Sequence, residues 1–156
     1  MSSSFFPRLI GRSLLAGALT LPAFAFAQPG THIEVWKTAS CGCCKDWVKH
    51  LEANGFVVSV NDVDDTTDAR EKYGMPNDYA SCHTALIDGY AIEGHVSAAE
   101  IQRLLQERPD AVGLTAPGMP LGSPGMDGPE YGGRKHAYDV FLIAHDGQAS
   151  VYQSHR

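Results

Sequence analysis

Apolar positions from Thr31 to Thr38 alternate around Ile33, Val35 and Trp36, which is the two-residue period of a strand. From Cys43 to Asn54 the period lengthens. Trp47, Val48 and Leu51 recur at helical spacing, and Gly55 stands where a left-handed residue ends a helix. Phe56 to Val63 returns to a β-rich run, and the polar cluster Asn61 to Asp68 introduces a short helix ending near Gly74 and Pro76. Thr84 to Ile87 and Tyr90 to Glu93, joined by Asp88-Gly89, predict a hairpin. Ser97-Ala98-Ala99-Glu100 has the form of a capping box and opens an amphipathic helix through Ile101, Leu104 and Leu105, stopped before Pro109. The resulting order is βαβαββα. A helical crossover followed by a hairpin and a helix predicts a single α/β domain of thioredoxin-like type, its sheet faces covered by helices.

The pattern then breaks. Ala116 to Gly133 is crowded with Pro and Gly, carries Met119 and Met126, and has neither period, so it predicts a loop. Tyr138 to Ala144 and Gln148 to Tyr152, joined by His145-Asp146-Gly147, predict a last hairpin that adds strands at a sheet edge.

The beginning of the chain belongs to no such element. Arg8 and Arg12 form a positive region, Ser13 to Phe26 is mostly small or apolar, and Ala25-Phe26-Ala27 before Gln28 is a signal-peptidase pattern. We therefore expect residues 1–27 to be a cleaved signal peptide and residues 28–156 to be one domain in the periplasm. The apolar stretch is short for a membrane span and is interrupted by Pro22, and the site ends in Ala rather than Cys, so no membrane anchor is expected. Loss of Arg8 and Arg12, with no acid beside them, takes the net charge from −6 to −8. An acidic domain without a Lys/Arg run is repelled by phosphate backbones, which argues against nucleic acid as a partner.

Candidate chemistry is concentrated in the four cysteines. Cys41, Cys43 and Cys44 fall between the first strand and the first helix, where free N–H groups and a partial positive charge favour thiolate. Cys41 and Cys44 have the C-x-x-C spacing of a redox dithiol. Two features argue for more than that. Cys43 is a third thiol inside the motif, and Cys82-His83-Thr84 occupies the junction that faces the dithiol in thioredoxin-like folds, where a cis-proline would otherwise sit. Thiolates select copper(I), zinc or iron–sulfur clusters, and imidazole suits copper and zinc. Crowded thiolates can bridge several copper(I) ions, whereas zinc needs only four donors, so copper ranks first and zinc second. Two structural disulfides are the alternative use of an even cysteine count in an oxidising compartment, but a bond between neighbouring Cys43 and Cys44 is strained.

Three segments carry a resemblance: Glu34 to Cys44, Tyr79 to Ala85, and Ala116 to Met126. Together they resemble the exported CopG-like copper-resistance proteins, across essentially the whole chain after the leader. The resemblance implies a thioredoxin-like fold, a cysteine-bridged multi-copper site, and a part in periplasmic copper tolerance through copper redox cycling. Carried over by position, the metal ligands are Cys41, Cys43, Cys44, Cys82 and His83. His95, Met119 and Met126 are weaker candidates, a His near a turn and a buried Met being commoner as structural groups.

His32, His50, His136, His145 and His155 have no paired spacing and read as solvated residues. Asp62, Asp64, Asp65 and Asp68 lack the Gly and terminal Glu of a calcium loop and read as helix-capping groups. Two functions remain open on this basis. One is a copper(I)-binding resistance protein, acting on copper as an oxidoreductase or handing it to another periplasmic copper-handling protein. The other is a thiol–disulfide oxidoreductase using the Cys41/Cys44 pair.

Overall fold

The structure is a computed structural model, and it describes residues 30–156; the expected leader falls outside the described residues. Strand β1 (His32–Lys37) runs into helix α1 (Gly42–Ala53), which returns through β2 (Val57–Asp62) to lie parallel to β1. Helix α2 (Thr67–Lys72) leads to β3 (His83–Ile87) and β4 (Tyr90–Gly94), and β3 pairs antiparallel with both β1 and β4. Helix α3 (Ala98–Glu107) opens on the expected capping box: Ser97 Oγ accepts from Glu100 N–H, and Glu100 accepts from Ser97 N–H. Each boundary lies within a residue or two of the position that hydrophobic period and Gly placement indicate.

One strand escaped the pattern. Beyond α3 the chain forms β5 (Gly113–Ala116), parallel to β4 and antiparallel to β6 (Tyr138–Ile143), which pairs in turn with β7 (Ala149–His155). The C-terminal hairpin thus joins the rest through β5, giving a seven-stranded sheet in the order β2-β1-β3-β4-β5-β6-β7. β5 is four residues long and opens on Gly113, where any side chain would collide with the Ala91 carbonyl.

The larger core cluster joins Trp47 and Leu51 of α1 and Ile101 and Leu104 of α3 to Ile33, Val35, Ile92, Leu114 and Val140 of the sheet. The alternate residues of the strands face the other way, and a smaller cluster there gathers Met75, Ala91 and Ile143 with Tyr73, Tyr79 and Phe141. Trp47 is anchored twice, since its ring is fully buried and its Nε1–H donates to Val96 O at 2.7 Å. This fixes the rotation of α1 over the sheet, and with it the positions of the cysteines in its first turn.

Candidate metal centre

Cys41 is the N-cap of α1, with its sulfur accepting from Cys44 N–H at 3.3 Å. The same turn brings Cys41 and Cys44 together, Cα atoms 5.4 Å apart, and the two are joined by a disulfide. Cys43 and Cys82 are free thiols. The distant fourth cysteine arrives through strand pairing: Lys37, the last residue of β1, lies opposite His83, the first of β3. Cys82 therefore abuts the cysteine loop. Its Sγ is 3.5 Å from that of Cys44 and 3.9 Å from that of Cys43, while Cys43 and Cys41 are 3.6 Å apart. All four sulfurs lie within 4.8 Å of one another.

Two imidazoles adjoin them. His83 is fully buried against the Trp47 ring, with its Nδ1 3.4 Å from Cys82 Sγ, while its Nε2 has no hydrogen-bond partner among the described residues. His95 follows Gly94, whose φ of +71° turns the chain back at the end of β4. Its Nδ1 lies 2.8 Å from Pro124 O and its Nε2 3.2 Å from Cys82 Sγ. A carbonyl only accepts, so Nδ1 carries the proton and Nε2 keeps its lone pair toward the sulfur. Cys82, His83 and His95 form a second potential ligand group that shares Cys82 with the first.

The surroundings favour uncharged forms of these groups. Burial, and then the neighbouring His95, holds His83 well below the usual imidazole range, and burial lowers His95. Burial, with Cys43 close by, pushes the Cys82 thiol up to about 12. Without metal, then, Cys82 is a thiol beside two neutral rings. Proton release there calls for a cation to balance the thiolate, and up to four sulfurs with two imidazole nitrogens make a soft donor set suited to copper or zinc.

The structure thus assembles Cys41, Cys43, Cys44, Cys82 and His83 at one place and adds His95. The Pro/Gly loop closes over them: Pro124 O meets His95, and a side chain at Gly125 would strike Cys43 O and Trp47 N. Met126 is buried in that loop and Met119 is exposed. The other histidines with described partners are engaged elsewhere, His32 with Ser59, His50 with Ala98 N–H, His145 with Asp110 and His155 with Glu100. In the acidic cluster Asp62 pairs with Lys37, and Asp65 accepts the Thr67 N–H at the start of α2. No helix among the described residues is long and apolar enough to cross a membrane.

Residues 79–126 match the family described as "Protein of unknown function, DUF411". No curated protein matches the chain. Two solved structures are similar, "Copper resistance protein copG- Form 2" and "Copper resistance protein copG- Form 1", both at 48% sequence identity and covering 81% of this chain. The matches span 99% and 98% of those chains, with TM-scores of 0.75 and 0.74.

Proposed function

This chain belongs to the family of CopG copper resistance proteins, and from that premise we propose that it is a periplasmic copper(I)-binding protein holding several ions in a thiolate cluster. Cys41, Cys43, Cys44 and Cys82 supply the sulfurs. His83 and His95 supply nitrogen. Residues 1–27 act as the leader, and the βαβαββα part is a thioredoxin-like unit, a reading supported by the β2-β1-β3-β4 strand order. The observation that carries the proposal is the meeting of four cysteine sulfurs, drawn from segments about forty residues apart, within 4.8 Å of one another.

The closed Cys41–Cys44 bond gives the site a redox dimension. Opening it takes two electrons and two protons, and only then are both sulfurs thiol donors, so disulfide closure and full copper loading exclude one another. The same bond favours a second reading, a thiol–disulfide oxidoreductase using this pair. Copper(I) titration of the reduced protein, run beside a metal-free disulfide-reductase assay, separates the two. More than one copper per chain with no dithiol turnover supports the cluster, whereas vigorous turnover without metal reverses the ranking.

A further inference from the structure

No proline adjoins Cys82 to hold its segment against the cysteine loop. What grips it instead lies on the opposite face of the sheet. Glu93 of β4 stands across from Thr84 of β3 and is fully buried. One of its carboxylate oxygens accepts from Thr84 Oγ1–H at 2.6 Å, and the other accepts from Ser81 N–H at 2.6 Å. A single side chain therefore holds the residues on both sides of Cys82-His83. Arg70 of α2, also buried, donates from Nε to the same Glu93 oxygen at 3.1 Å. Its Nη2 reaches Thr66 Oγ1 at 2.9 Å and Ser81 O at 3.4 Å, and its Nη1 reaches Asn77 Oδ1 at 3.1 Å. Both main-chain polar groups of Ser81 are thereby held by one ion pair. Taking both charges out of water offsets most of their attraction, so stability alone is a weak reason for such a pair.

We propose that Glu93, braced by Arg70, is a positioning residue for the metal centre: it fixes Ser81 and Thr84 and so sets the Cys82 sulfur within reach of Cys43 and Cys44. This rests on the copper reading only where copper affinity is measured. The geometric part is tested without metal. Diamide oxidises two adjacent thiols to a disulfide, taking up their two electrons and two protons as it becomes the hydrazine. In metal-free protein the rate at which Cys82 becomes cross-linked to the cysteine loop, followed by peptide mass, reports the placement of its sulfur. Glu93→Ala is expected to slow cross-linking about tenfold, the scale on which groups that orient a ligand act, with the fold checked by circular dichroism.

The second measurement is copper(I) affinity by competition with a chromophoric chelator. Glu93→Ala is expected to weaken binding about tenfold in the parent protein and to weaken it no further in a Cys82→Ser background, because a residue acting through Cys82 has nothing left to position there. Additive losses, or parental cross-linking in Glu93→Ala, overturn the proposal. Should Glu93→Ala not fold, Glu93→Gln carries the test: it keeps the shape but gives up one of the two acceptor oxygens, and a parental rate in it overturns the proposal equally. A parent protein that binds no copper defeats the copper reading instead, while the cross-linking rates still decide the role of Glu93.

Discussion

The lone pair of His95 is directed by a carbonyl oxygen twenty-nine residues away, that of Pro124. By accepting a hydrogen bond from Nδ1–H this carbonyl leaves the Nε2 lone pair facing Cys82, and removing the ring removes a donor already aimed. We expect His95→Ala to lower copper(I) affinity about tenfold, as measured by chelator competition, and equal affinity would take His95 out of the donor set. The cysteines and His83 were legible in the sequence because their spacing and their place next to a strand end are local. His95 carried only a faint signal, a histidine just after the hairpin. What brings it to the candidate site is the reversal at Gly94 and the fold of the Pro124 loop, and neither is encoded in spacing. Glu93 was less visible still, since a single acid in an apolar strand shows no partner until Arg70 and Ser81 are brought to it.

Among the elements, α1 and α3 are joined by His50, whose Nε2 accepts the Ala98 N–H at the first turn of α3. This acceptor exists only while the ring is neutral, and burial holds the pKa of His50 below its ordinary value near 6.5. As pH falls through about 6.5 the unfolded chain binds the proton first. The contribution of His50 to stability is therefore fully present above that value and is lost below it, until the folded form protonates too. Buried His83 and His95 act with the same sign. Urea midpoints of the metal-free protein should fall between pH 7 and pH 5.5. His50→Gln, whose amide oxygen can accept the same N–H without titrating, should flatten that fall, and an unchanged slope would remove His50 from the account.

The elements with a strong period or a cap, namely β1, α1, β3, β4 and α3, were readable in advance because their side chains alone distinguish core from solvent. β5 was not. Its four residues become a strand through hydrogen bonds from β4 and β6, which no local pattern announces.

At the scale of the whole molecule, the seven strands form one continuous sheet, and the centre sits at the end of β1 and the start of β3. The meeting of the two cysteine segments was foreseeable from the order of elements, because the first and third strands of such an order are neighbours. The Pro/Gly segment was recognisable as a loop, but its placement over the cysteines was not, because a stretch without a period does not say what it covers. Export is the matching expectation for the chain as a whole. If residues 1–27 act as the proposed leader, the protein expressed from its full 156-residue sequence should be recovered from the periplasm as 129 residues beginning at Gln28. Intact mass measures this, and a periplasmic chain retaining residues 1–27 would contradict it.

The four sulfurs also differ in depth. Cys44 is sealed at the bottom while Cys41, Cys43 and Cys82 are partly open. A visiting molecule consequently has no simultaneous grip on all four. On the copper reading, a chelator is therefore expected to reach the three rim sulfurs first and the sealed Cys44 last.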